Sequence, residues 1–158
     1  MNEHLGSTLA EADYRYRLRV YYEDTDAAGI VYHANYLRYA ERARTEAMRA
    51  MGAAHADLVR DCNLMFVVRR AELDYLRPAR LDDRLEVVTE PVRLRAAAVT
   101  LRQSIRNDRG SCVVLAIELA CVALGGNRPA RIPPRWRAAF EQMLAALPPQ
   151  GMPAGRRG

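Results

Sequence analysis

The chain has 158 residues, 50% of them hydrophobic and 27% charged, with a formal net charge of +5. Such a length suits one domain with a real core and is too short for two ordinary ones, and the composition is that of a folded protein rather than a disordered one. All 24 basic residues are arginine, which excludes a lysine Schiff base and a phosphate-loop lysine; their spread along the chain gives no reason to expect a nucleic-acid partner.

Three cysteines, Cys62, Cys112 and Cys121, show no C-x-x-C spacing, so buried thiols are expected rather than a disulfide framework or a zinc site. The start, Met1-Asn2-Glu3-His4-Leu5-Gly6, holds no apolar signal core, and no apolar run approaches the roughly 18 residues of a membrane span. A cytoplasmic protein without a membrane span is the expectation.

In chain order, residues 1–13 are polar and aperiodic and are expected to be mobile. A single domain over 14–147 follows. It opens with Tyr14-Arg15-Tyr16-Arg17-Leu18-Arg19-Val20-Tyr21, whose period-two alternation predicts a half-buried strand reaching about Tyr22. Over 34–51 the spacing becomes helical, with Tyr36, Ala40, Ala43, Ala47 and Ala50 on one stripe, and Gly52 is placed to stop the helix. A loop through His55 and Asp61 is expected next. Strand patterns then cover 65–75, 85–92, 97–105 and 112–124, with a hairpin signal at Asn107-Asp108-Arg109-Gly110. A second, short helix over 133–147 precedes a Pro/Gly/Arg-rich tail, 148–158, also expected to be mobile. One strand, one long helix and then consecutive strands predict an α+β fold, an antiparallel sheet covering the apolar helix.

The chemistry concentrates in the run Tyr21-Tyr22-Glu23-Asp24-Thr25-Asp26-Ala27-Ala28-Gly29-Ile30-Val31-Tyr32-His33-Ala34-Asn35-Tyr36. If the strand continued that far, Asp24 and Asp26 would share a face. A carboxylate there would lie beside the unpaired N–H groups of a helix start, a place that stabilises an oxyanion, and would serve as general base or nucleophile. Asp24 and Asp26 equally suit a turn cap before Gly29, and His33 and Tyr32 equally suit structural roles. Asp24, Asp26 and His33 offer one conceivable metal set with no second ligand cluster to support it, and no metal is expected. The serines are Ser7, Ser104 and Ser111, none in a G-x-S-x-G elbow, so a hydrolase built on this chain would depend on a carboxylate.

That run, with Tyr39-Ala40-Glu41-Arg42-Ala43-Arg44-Thr45-Glu46, Phe66-Val67-Val68-Arg69 and Pro78-Ala79-Arg80-Leu81-Asp82-Asp83, resembles the 4-hydroxybenzoyl-CoA thioesterase family of hotdog-fold proteins over about residues 16–146. Within that family the likeness is greatest to the Tol-Pal-associated acyl-CoA thioesterases. The resemblance implies a hotdog, a sheet wrapped around one long helix, with subunits pairing edge to edge as a homodimer or homotetramer and active sites between them. It also implies an acyl-CoA substrate, with an acyl carrier protein as a further partner, and no cofactor. The family's catalytic aspartate falls on Asp26, and the helix-start N–H that polarises the thioester carbonyl falls on His33. The turn Gly29-Ile30-Val31-Tyr32 between them would border the substrate. Arg95 is the candidate for the coenzyme A phosphates, although Ala96-Ala97-Ala98 stand where polar groups are common in the family. Two other readings of such a chain are a non-catalytic acyl-CoA or acyl-carrier-protein binding module and a hotdog 3-hydroxyacyl thioester dehydratase.

Overall fold

The computed structural model describes residues 14–146, and the expected mobile ends lie outside the described residues. The elements, in order, are β1 (Arg15–Arg19), α1 (Asn35–Ala50), α2 (His55–Cys62), β2 (Leu64–Tyr75), β3 (Arg84–Leu94), β4 (Ala98–Asn107), β5 (Gly110–Ala123) and α3 (Pro134–Ala145). The strands form one antiparallel sheet in the order β1-β3-β4-β5-β2. The predicted α+β hotdog arrangement is therefore present, with β1 and β2 at the two edges.

Alternation along β3, β4 and β5 turns Leu85, Val87, Val99, Leu101, Ile105, Val113, Leu115 and Ile117 inward onto α1. The helix answers with Tyr36, Tyr39, Ala40, Ala43 and Ala47, all buried. The small alanines let its backbone approach the sheet, so Gln103 on β4 reaches the helix itself. Gln103 is fully buried, and its Nε2 donates to the carbonyl of Ala40 and to Thr89 Oγ1, both at 2.9 Å. Ala50, assigned to the same stripe by spacing, is exposed as the last residue of α1.

Asn107 pairs with Gly110 across the predicted hairpin, and the Asn107 side chain accepts the N–H of Arg109 at 3.0 Å. Gly110 has φ +127°, and a Cβ there would meet the Arg77 guanidinium at 3.3 Å, so glycine suits the turn on both counts.

Two expectations are corrected. The first strand ends at Arg19 and gives way to a single 3-10 turn, Tyr22–Asp24: the Val20 N–H still reaches the Asp83 carbonyl in register, but the Val20 carbonyl takes the N–H of Asp82, φ +68°, where the chain leading into β3 turns away and the ladder has no further rung. The segment expected as a loop through His55 and Asp61 is α2, which buries Leu58 and ends on Asn63 in the left-handed conformation, φ 52°. From α3, Arg135 fixes α2 through Nε to the Gly52 carbonyl at 2.6 Å and a guanidinium N–H to Asp57 at 2.8 Å, while the Trp136 indole donates to the Ala54 carbonyl at 3.2 Å.

Cys112 and Cys121 are buried and Cys62 is half-buried, all three as free thiols, and burial raises the first two above the ordinary thiol range. No helix among the described residues is long and apolar enough to cross a membrane.

Candidate active site

The loop between the 3-10 turn and α1 is stitched into a narrow hairpin. Thr25 bridges Val31, the Asp26 N–H donates to the Ile30 carbonyl at 2.9 Å, and the Gly29 N–H returns to the Asp26 carbonyl at 3.0 Å. Gly29 takes φ +73°, which glycine adopts without strain. The hairpin is docked onto the β2–β3 connection by Ile30 bridging Arg80 and by the Val31 N–H on the Ala79 carbonyl at 2.8 Å. Val31 is buried and Ile30 half-buried as anchors, whereas Gly29, Tyr32, His33 and Asp26 are exposed along the rim.

Asp24 and Asp26 do not share a face, because the chain turns between β1 and the hairpin. Asp24 is half-buried, its carboxylate accepts the Tyr21 N–H at 2.8 Å, and its carbonyl takes the Tyr32 N–H and the Asn35 side-chain amide. It is a structural clasp that ties the hairpin to the helix start. Asp26 accepts the Ala28 N–H on Oδ1 at 2.9 Å and leaves Oδ2 without a protein partner among the described residues. Tyr39, under this clasp, has a buried hydroxyl with no hydrogen bond among the described residues. Burial first, and the Asp24 charge second, hold its pKa well above the ordinary phenol value, so it stays neutral.

The α1 N-cap is Ala34, which offers no side-chain oxygen to the first turn. The N–H of His33, one residue before, meets no protein acceptor among the described residues. An uncapped helix start with a free N–H is an anion-binding geometry. The His33 ring lies against Tyr32, with centroids 4.5 Å apart, and meets Tyr75 edge-on at 6.5 Å. Tyr36 completes this aromatic group, edge-on to Tyr75 at 5.9 Å, while its hydroxyl accepts the Ala79 N–H at 3.1 Å. Tyr75 was not singled out by sequence reasoning. Its only sequence signal is its place at the end of an aromatic-tipped strand.

Arg95 lies in the β3–β4 turn, paired with Glu118 at 3.1 Å, and its carbonyl accepts an Arg137 N–H at 3.0 Å. It stands apart from the Asp26 hairpin. No group of three or more His, Cys, Asp or Glu side chains among the described residues is placed to hold a metal ion, so Asp24, Asp26 and His33 do not converge as one.

A second feature escaped the sequence entirely. A cavity of about 280 Å³ opens between the middle of α1, the start of α2, the first half of β2 and α3, over the floor of the sheet. Phe66, Leu119, Phe140 and Met143 give it apolar walls, while Glu41, Arg44, Thr89 and His55 bring polar groups to it. Neither Asp26 nor His33 lines it.

The sequence model described as the thioesterase-like superfamily matches residues 20–140. An acyl-CoA thioesterase YbgC of Haemophilus influenzae is 38% identical over 135 residues, covering 85% of this chain and 99% of its own. An acyl-CoA thioester hydrolase YbgC of Escherichia coli O6:H1 is 39% identical over 130 residues, covering 82% and 96%. Among solved structures, a probable thioesterase from Bartonella henselae superposes with a TM-score of 0.73 at 35% identity, covering 77% of this chain and 100% of that one.

Proposed function

Since the chain belongs to the thioesterase-like superfamily, we propose that it is an acyl-CoA thioesterase, cleaving the thioester to a free acid and coenzyme A, with Asp26 as the catalytic carboxylate. The observation that carries this is the hairpin itself. It holds an exposed carboxylate with a free oxygen and an unengaged helix-start N–H on the two arms of one stitched loop.

In the hydrolytic step, the carboxylate takes a proton from water as the water oxygen adds to the thioester carbonyl, or itself adds to that carbon to give an anhydride that water then opens. Either way the carbonyl oxygen becomes negative, and the His33 N–H and the positive end of α1 stabilise it; collapse expels the thiolate, which is protonated as it leaves. Gly29, Ile30, Val31 and Tyr32 form the wall along which the thioester lies, and Arg95 is proposed for the coenzyme A phosphates only if its pair with Glu118 opens. The activity requires no cofactor.

The working unit we propose is a pair of chains joined along β2. That strand is a twelve-residue sheet edge whose second half is exposed, with ladder groups open on its outer side. Its charges run Arg69, Arg70, then Glu72, Asp74, an order that is self-complementary when two copies run antiparallel. Antiparallel pairing also exchanges the ends of the strand. The Asp26 hairpin lies by Tyr75 at one end and the cavity by Phe66 at the other, so each hairpin would face the cavity of the other copy. An acyl carrier protein is an alternative thioester carrier for the same site.

Asp26→Asn tests the reading. Asparagine keeps the oxygen that caps Ala28 and loses the base, so thiol release from acyl-CoA esters is expected to fall by about a hundredfold or more with the fold unchanged. Undiminished hydrolysis of every ester that the unaltered protein cleaves would refute it.

A further inference from the structure

Within the cavity, Arg44 is the anomaly. It sits on α1 among Met48, Phe66, Leu101 and Phe140, where an unpaired guanidinium is costly to keep. Of its five N–H groups only one has a protein acceptor among the described residues, the neutral Oε1 of Gln103 at 2.9 Å. Gln103 is in turn fixed by the Ala40 carbonyl and Thr89, so this amide cannot turn away and the guanidinium is held in one place. Glu41, one turn earlier, is the single carboxylate lining the cavity; it is exposed and forms no ion pair with Arg44. Desolvation lowers the Arg44 pKa, with Glu41 opposing that only in part, which marks a cation short of a partner.

We propose that this cavity receives the acyl part of the thioester and that Arg44 selects acyl groups ending in a carboxylate, the monothioesters of short dicarboxylic acids. A planar carboxylate accepts two parallel N–H bonds from the guanidinium fork, and it supplies the charge that the protein withholds. The apolar walls hold the intervening methylenes, and the thioester stays toward the mouth, where Glu41 repels a second carboxylate. This inference rests on the thioesterase reading for where the ester bond lies, but its own content is a binding preference.

The test therefore separates binding from turnover. Binding of succinyl-, glutaryl- and adipyl-CoA is compared by calorimetry with that of butanoyl-, pentanoyl- and hexanoyl-CoA, using the Asp26→Asn protein. At least one carboxylate-ended ester is expected to bind tenfold or more tightly than its neutral match, a preference that Arg44→Met removes and Arg44→Lys keeps in part. Equal or tighter binding of every neutral ester overturns the proposal, as does an Arg44→Met protein that loses both series alike. Hydrolysis by the unaltered protein is read in parallel. Turnover without the binding preference defeats this inference alone, and the preference without turnover defeats the thioesterase reading alone. If Arg44→Met fails to fold, the comparison of the two ester series and the Arg44→Lys protein decide the matter.

Discussion

The hydroxyl of Tyr75 donates to the carbonyl oxygen of His33 at 3.1 Å, linking the last residue of β2 to the residue before the α1 cap across 42 positions of sequence. This bond restrains the peptide that leads into the helix start, and so restrains the direction of the donors that precede it. It also joins the sheet edge to the loop that carries Asp26.

Removing that bond alone should loosen the loop while sparing the hydrophobic contact. Tyr75→Phe is expected to lower kcat by about three- to tenfold, the equivalent of one hydrogen bond, with little change in KM. Steady-state kinetics with a single acyl-CoA ester checks the split, and a change confined to KM would assign Tyr75 to binding instead.

The charge order along β2 gives a prediction about assembly. Arg70→Glu places like charges where two antiparallel copies meet and is expected to weaken the dimer by about tenfold or more, while Arg70→Glu combined with Glu72→Arg restores it. Sedimentation over a dilution series reads this directly. Activity per chain should fall with the dimer if each hairpin works on the cavity of the other copy.

Gln103 serves three partners at once and is fully buried. Gln103→Leu leaves Arg44 and Thr89 without theirs, and a loss of about 2–4 kcal/mol in unfolding free energy is expected, from desolvated polar groups rather than from lost volume. Urea denaturation checks it. Gln103→Glu should be milder, since it retains an acceptor for Arg44.

Glu86 predicts the acid side of the stability profile. Burial raises its pKa, but hydrogen bonds and charges from Arg106, Arg15 and Arg17 outweigh that, leaving the carboxyl below its ordinary value. A depressed folded-state pKa contributes stability above the unfolded value and loses it as pH falls through the folded one. Glu86→Gln should therefore lower Tm at neutral pH, and the gap to the unaltered protein should stay constant down to about pH 4.5 and close below it. Thermal melts from pH 7 to pH 3 measure this.

What could be read before any coordinates follows a physical line. The helix over 34–51 was legible because alanines at helical spacing, a glycine stop and a polar opposite face all agree locally, and the strands because alternation and turn residues agree. Helix α2 was not, since only Leu58 of its eight residues is buried and its anchors, Arg135 and Trp136, lie some eighty positions away. Asp26 and His33 stood out because they share one short loop. Tyr75 and the cluster of Arg44, Gln103 and Thr89 did not, because each is defined by contacts between distant strands and the helix. The relation of Asp24 to Asp26 was misjudged for a related reason: how far β1 runs is set by where the distant chain leading into β3 turns, at Asp82, just beyond the Val20–Asp83 bond.

The hairpin that bears the acid and the chamber walled by Phe66, Phe140 and Met143 have no residue in common. On the proposed reading, bond-breaking and selectivity would be governed by separate stretches of chain, and each could drift without disturbing the other. On that reading, exchanging the half-buried Met48 for a larger or smaller side chain is expected to retune which acids are released and to leave the Asp26 hairpin as it was.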